Sequence, residues 1–199
     1  MLPRKHIRVQ KEDIVLAAVK IVGKYGVQAL TVSAIADTAG MSKTNFYRHF
    51  REKDEIYFAL AEYIGGALMG KAAAIAEGGK EPLEKLEAIF FSHMTLVAEQ
   101  PGIPRFVYSE DVHLGNRKLT ETVAFLIGSY VKIVTGIIAA GIAAGELRKG
   151  ISPRETALMF IGMIQFSALR WTIGGASYDV HDEAEKLWRN FSMLFFTRR

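Results

Sequence analysis

From Ile14 to Phe196 the apolar residues return at every third or fourth position, and no stretch alternates strictly between apolar and polar. That is the period of a helix and not of a strand, so the chain is confined to an all-α fold. Ile14, Ala17, Ala18, Ile21, Val22 and Tyr25 form one such stripe, and Gly26 follows where a C-terminal cap sits. Thr31 is a good N-cap for a short helix whose one face is Val32, Ile35, Ala36 and Ala39. Gly40-Met41 makes a tight turn, and Ser42 caps a third helix in which Phe46 and Phe50 lie one turn apart.

A long helix is predicted over 54–77, ending at Gly78-Gly79. Glu81-Pro82 opens the next, which buries Leu83, Leu86, Phe90, Met94 and Val97 and stops before Pro101-Gly102. A short piece over 103–110 leads to a long apolar helix over 116–144. Ser152-Pro153-Arg154-Glu155 reads as a capping box that starts a helix lasting to Ile173. The last helix covers 182–196, giving nine helices and no strands. Two segments are long and apolar enough to span a bilayer, 123–145 with Lys132 as its one charge and 156–176 with Arg170 and Gln165. A mid-helix lysine is costly in hydrocarbon, and no basic cluster or Trp/Tyr belt brackets 123–145. Both are therefore read as helices buried among other helices, with no membrane partner.

At 199 residues the chain can bury a substantial core, and without cysteine it has neither disulfides, thiolate metal sites nor a cysteine nucleophile. The opening Met1-Leu-Pro-Arg-Lys-His leads into no apolar run of the secretory kind, and a cytoplasmic protein is expected. Charge is unevenly placed. Residues 1–53 hold ten Lys/Arg against four acids, whereas the remaining 146 hold 15 against 17. A basic head on a near-neutral body points to a polyanion met by the head alone.

The segment from Thr31 to Phe50 has the length and punctuation of a helix-turn-helix. Phe46 and Phe50 supply the face that pins the second helix down, which turns Thr44, Tyr47 and Arg48 outward and leaves Lys43 exposed in the first turn. Hydrogen-bonding, cationic and aromatic side chains of this size suit a major groove. The Ser42 hydroxyl with the first N–H groups, and Lys53 just beyond, are placed for phosphate.

Residues 11–63 resemble the N-terminal domain of TetR-type bacterial transcriptional regulators. The resemblance runs through Ile14, Ala17-Ala18, Tyr25-Gly26, Thr31-Val32, Ile35-Ala36, Ala39-Gly40-Met41-Ser42-Lys43, Phe46-Tyr47-Arg48-His49-Phe50 and Lys53-Asp54-Glu55-Ile56. It implies a nine-helix architecture: a helix-turn-helix DNA-binding head over 1–53, and a helical ligand-binding and dimerisation body over 54–199. It also implies a homodimer on a palindromic double-stranded operator, with a small effector in the body. By the same resemblance Thr31 and Ser42 cap and touch phosphate, with Ser33 beside them in the DNA-facing set. Lys43, Thr44, Tyr47 and Arg48 face the groove, and His49 and Lys53 meet the backbone. Thr44 stands where many members carry glycine or alanine. Glu52 stands where a Ser or Asn cap is common, so the fourth helix is expected to be capped from Asp54.

The resemblance further implies a dimer surface on the last two helices, whose stripes are Ala157, Phe160, Ile161, Ile164, Ala168 and Trp171, then Leu187, Phe191, Leu194 and Phe195. Such a stripe also suits internal core, because periodicity does not say what covers it. Tyr63, Phe90, His93, Met94, Phe106, Tyr130 and Trp171 are the expected lining of an effector pocket, and an apolar lining would favour an apolar ligand. Glu110-Asp111-x-His113 lacks the partner spacing of a metal site, so no metal is expected. Ser42-Lys43-Thr44 resembles the end of a phosphate-binding loop, but Asp37 and Ser42 stand where that loop needs glycine. With no G-x-S-x-G or H-E-x-x-H either, neither enzyme activity nor a cofactor is expected. The expected function is a repressor released from its operator by an apolar effector. The alternative is a DNA-bound protein of the same fold that recruits a protein partner, which would have a filled body and no cavity.

Overall fold

The computed structural model describes residues 10–175 and 177–197; Arg4, Lys5 and Arg8 of the basic head lie outside them. Among the described residues the chain forms nine α-helices: α1 Lys11–Tyr25, α2 Val32–Ala39, α3 Lys43–His49, α4 Asp54–Glu77, α5 Pro82–Glu99, α6 Gly102–Val107, α7 Arg117–Ala143, α8 Pro153–Ile173 and α9 Val180–Phe195. A 3₁₀ turn, Val27–Ala29, follows α1, and a π-helical turn, Asp111–Gly115, follows α6. The only β pairing among the described residues is an isolated antiparallel bridge between Leu147 and Phe196, which ties the chain end back to the α7–α8 connection.

Local chemistry sets most of these ends. The Ala34 N–H donates to Thr31 Oγ1 and the Asn45 N–H to Ser42 Oγ, each at 3.1 Å. Gly40 closes α2 at φ +67°, the left-handed cap that glycine adopts without penalty. Three starts differ from the sequence expectation. Ser152 caps α8 without a side-chain hydrogen bond, and Glu155 lies 3.5 Å from Arg154. Helix α4 is entered through Lys53 with no side-chain cap; instead Glu55 accepts the Arg51 N–H at 2.8 Å. Helix α9 begins two residues early because Asp179 accepts from the His181 and Asp182 N–H groups, at 2.7 and 3.3 Å.

Two apolar clusters form the core. The first joins Ile14, Ile35, Phe46 and Phe50 to Ile56 and Leu60 of α4, Ile103 and Phe106 of α6, and Leu119 and Val123 of α7. The second gathers Phe90 of α5, Val134 and Ile138 of α7, Phe160 and Ile164 of α8, and Trp188 and Phe191 of α9. The first cluster crosses residue 53, so the front half of α4 belongs to the packing of the head.

The stripes expected at a dimer surface prove to be mostly internal. Ala157, Phe160, Ile161, Ile164, Ala168 and Phe191 are buried within the chain, with the Phe160 ring 5.9 Å from Phe90 and 5.5 Å from Phe191. Trp171, Leu187 and Phe195 are half-buried, and only Leu194 of the two stripes stays exposed. α5 and α7 cover the stripes, which periodicity could not disclose. The apolar side chains that α8 and α9 do present outward are Leu158, Met159, Phe166 (62% exposed), Ile173 (77%), Met193 and Leu194.

Helices α4, α7 and α8 are each long and apolar enough to cross a membrane by length and composition. Here they pack into the two clusters, although α7 is not sheathed all round, since Phe125 is 73% exposed.

One contact joins head to body without side-chain slack. A Cβ placed on Gly102 of α6 would lie 2.2 Å from the Val19 carbonyl oxygen and 3.0 Å from the Gly23 nitrogen, both backbone atoms of α1. Arg105 Nη1 donates to the Gly23 carbonyl at 2.6 Å across the same contact. Gly102→Ala must push the two helices apart, with an expected loss of about 1–3 kcal/mol of stability in urea unfolding. Unchanged stability would show that the helices separate freely.

A candidate nucleic-acid interface and an internal cavity

Helix α3 is pinned by two rings. Phe46 and Phe50 are fully buried and stacked, with centroids 5.4 Å apart. Their burial fixes the helix rotation and leaves Lys43, Thr44, Tyr47 and Arg48 exposed on the opposite side, Tyr47 at 53%. Ser42 and Thr31 are also exposed, and Ser33 and His49 are half-buried. Each capping hydroxyl accepts one backbone N–H and keeps its own O–H, a donor suited to a phosphate oxygen.

Lys53 is exposed, with Nζ 5.7 Å from the centroid of the Tyr57 ring one turn on. Burial, with the charges of Asp111 and Asp54 adding to it, pushes the Tyr57 phenol up to about 12, so that ring stays neutral. Packing adds a cation that sequence distance concealed: Lys11 Nζ lies 5.3 Å from the centroid of the Phe50 ring, at the same C-terminal end of α3 as Lys53, with Lys43 at the other end. The exposed side of the head therefore offers cations at both ends of α3 and mixed polar groups along it.

A narrow cleft of about 60 Å³ lies in the body between α4, α6, α7 and α8. Of the seven residues expected to line a pocket, His93, Phe106 and Tyr130 do so. The other four are engaged elsewhere. Tyr63 donates to Gln100 Oε1 at 3.2 Å and packs against the head's cluster. Phe90 is fully buried and stacks on Trp188 at 5.6 Å, and Met94 is plain core. Trp171 Nε1 donates to the Tyr178 carbonyl at 3.2 Å.

The remaining lining is mainly aliphatic, from Ile64 and Leu68 of α4, Val123, Leu126 and Ile127 of α7, and Ile161 of α8. Val123, Leu126, Ile127 and Tyr130 follow helical spacing, so the stripe was readable; that it faces a void was not.

Polar groups in this wall are few and neutral. His93 Nδ1 and the Tyr130 hydroxyl are 3.2 Å apart and buried. Burial alone lowers His93 to about 4 and raises the Tyr130 phenol, so neither carries charge at neutral pH. Gln165 is held from the far side by Tyr108, whose hydroxyl donates to the Gln165 carbonyl at 2.9 Å and also contacts the side-chain oxygen. Such a wall accommodates an apolar ligand and can hydrogen-bond one carbonyl or hydroxyl, but it repels an unpaired charge.

The same burial sets a pH dependence. Unfolded His93 takes up its proton near 6.5, the folded residue only near 4. Between those values the unfolded state binds more protons, so stability falls as pH falls from about 6.5 and levels off below about 4. The expected loss from this group is roughly 3 kcal/mol, and His93→Gln should flatten that part of a urea-unfolding pH series. A slope identical to that of the unmodified protein would mean His93 does not titrate in this way.

Residues 14–60 match the family described as bacterial regulatory proteins, tetR family, and residues 79–177 match the tetracyclin repressor-like C-terminal domain. The fatty acid metabolism regulator protein of Bacillus subtilis (strain 168) is 25% identical over 176 residues, covering 88% of this chain and 90% of that protein. The nucleoid occlusion factor SlmA of Vibrio vulnificus (strain YJ016) is 23% identical over 167 residues, covering 82% and 83%. The crystal structure of the regulator FadR from Bacillus subtilis in complex with stearoyl-CoA superposes with a TM-score of 0.76 at 24% identity, over 92% of this chain and 98% of that one. The helix-turn-helix head, the nine helices of the described chain and both family matches lead to one conclusion: the chain belongs to the TetR family of bacterial transcriptional regulators.

Proposed function

We propose that this regulator is a cytoplasmic homodimeric repressor that leaves a palindromic operator when a long-chain acyl-CoA enters the body. The observation that carries this reading is the aliphatic cleft with its neutral His93–Tyr130 pair, set against α4. Helix α4 holds Ile56, Leu60 and Ile64 in the head's cluster, and Ile64 with Leu68, one turn further on, also lines the cleft. A ligand that reshapes the cleft therefore acts on the rod that carries the head. Repression is relieved only if the ligand binds the DNA-incompetent arrangement more tightly, since equal affinity for both shifts nothing. Relatives named for fatty acid metabolism and for a stearoyl-CoA complex support an acyl chain as the apolar part. The rival reading, an effector-free protein that recruits a partner, requires a filled body, and the apolar cleft of about 60 Å³ is the feature that separates the two.

The outward apolar side chains of α8 and α9, Phe166, Ile173 and Leu194 among them, support pairing of two subunits through those helices. Two-fold pairing matches a palindrome whose half-sites lie roughly 34–36 Å apart or a multiple of that. Lys43, Thr44, Tyr47 and Arg48 would then enter the groove, with Thr31, Ser33, Ser42, His49 and Lys53 on the backbone.

Operator DNA selected from random fragments should lose about tenfold or more in affinity when stearoyl-CoA is added, read by fluorescence anisotropy. If acyl-CoAs of no chain length alter operator affinity, the effector assignment is wrong. Lys53→Ala should weaken binding to all sequences alike and flatten the salt dependence by about one phosphate contact per subunit. Tyr47→Ala should instead cost about 1–3 kcal/mol of discrimination between operator and random DNA. The opposite pattern would invert the two roles.

A further inference from the structure

The cleft is one of three voids strung along the seam of α4, α5 and α7. A second, a gap of about 10 Å³ with room for about one water, shares Leu68, His93 and Tyr130 with it, so these three side chains form the wall between them. Lys71 stands at the rim of this second void. A third, an open groove of about 380 Å³, has Ile133, Gly136, Ile137 and Ala140 of α7 as its floor, with Lys85 and Lys132 beside it.

The order of the voids is the same on all three helices. On α4 the lining runs from Ile64 through Ala72 to Ala76, on α5 from His93 through Ile89 to Lys85, and on α7 from Leu126 through Tyr130 to Gly136. At the helical rise, Ile64 to Ala76 is roughly 18 Å. A compact ligand fills one void, whereas a linear amphiphile reaches from the first to the third.

Charge changes along this line. The ionisable side chains of the inner cleft, His93 and Tyr130, are both held neutral by burial, and the outer groove carries two lysines. Among the described residues, no carboxylate lies within 4.0 Å of the ammonium of Lys71, Lys85 or Lys132. Lys71 and Lys132 are exposed and Lys85 half-buried. The carboxylate of Glu146, close to the start of α5, is occupied by the Leu83 N–H at 2.9 Å.

We infer that the three voids form one binding track of fixed polarity. The acyl end lies in the cleft beside Phe106, His93 and Tyr130 bracket the middle, and a phosphorylated head group lies over Lys85 and Lys132 in the outer groove. The inference rests on the acyl-effector reading and adds to it the direction of the ligand and the residues that recognise its charge. Leu68, His93 and Tyr130 must move for a chain to pass. That gives the ligand a handle on α4 at Leu68, one turn from Ile64 of the head's cluster.

The test measures direct binding by the full-length protein of stearoyl-CoA, stearic acid, stearyl alcohol and coenzyme A alone. Two variants are used: Lys85→Gln with Lys132→Gln, which neutralises the groove, and Leu126→Trp, which fills the cleft. Thermal melting checks that each is folded. The lysine double variant should bind stearoyl-CoA about tenfold or more weakly while stearyl alcohol binding is unchanged, and added salt should narrow the difference. Leu126→Trp should weaken both. Stearic acid losing as much as stearoyl-CoA in the double variant would show that a carboxylate suffices and a phosphorylated head is not what the groove selects. Undiminished stearoyl-CoA binding in the double variant, with Leu126→Trp still blocking it, would overturn the track while leaving the acyl reading intact. Equal loss of the alcohol in the double variant would likewise overturn it, since the lysines would then act through the fold. Failure of every acyl compound to bind the unmodified protein would instead overturn the acyl reading itself.

Discussion

Much of this molecule depends on the close approach of α1 to α6. Gly102 brings the α6 backbone against Val19 and Gly23 of α1, and Arg105 fastens the Gly23 carbonyl from the same helix. α1 supplies Ile14, Ala18 and Val22 to the head's cluster, while α6 supplies Phe106 and Val107 to the wall of the cleft. Backbone packed on backbone cannot absorb a shift by a change of rotamer, so a displacement at one surface is passed to the other. The orientation of the head is thus tied to the packing of the body through a contact only two glycines permit.

Helix α4 is the second tie, and it works by length. Its front half is buried among α1, α3 and α6 residues and its middle borders the cleft. Gly65 lets α7 come close there, since a Cβ at that position would sit 2.5 Å from Leu126. Gly65 and Leu126 both line the cleft, so this close approach narrows the cleft itself. Around them the wall stays uncharged because burial holds His93 and Tyr130 neutral. An ionised pair there would cost more than its mutual attraction returns.

The head was legible in the sequence to a degree the body was not. Thr31, Gly40 and Ser42 act within one turn of themselves, and each cap forms as its residue type dictates. Phe46 and Phe50 have a single neighbouring surface to bury against, so the outward direction of Tyr47 and Arg48 followed from helical geometry. In the body the same periodicity was ambiguous. Phe90, Met94, Phe106 and Tyr130 all read as apolar-face residues, yet two are solid core and two border a void. Phe160 and Ile164 read as surface for a partner and are covered by α5 and α7. The Ser152 box does not form, although its residues stand in the order a capping box requires.

What the sequence determined by itself was therefore the class, the number of helices and the face that the head turns outward. All three follow from spacing and from residues acting on their immediate neighbours. Tertiary structure alone decided which stripes are core and where α4, α5 and α7 leave space. It also brought Lys11 to Phe50 and set His93 beside Tyr130. Those outcomes depend on the separation of helices distant in the chain, and a period along one helix does not encode the distance to the next.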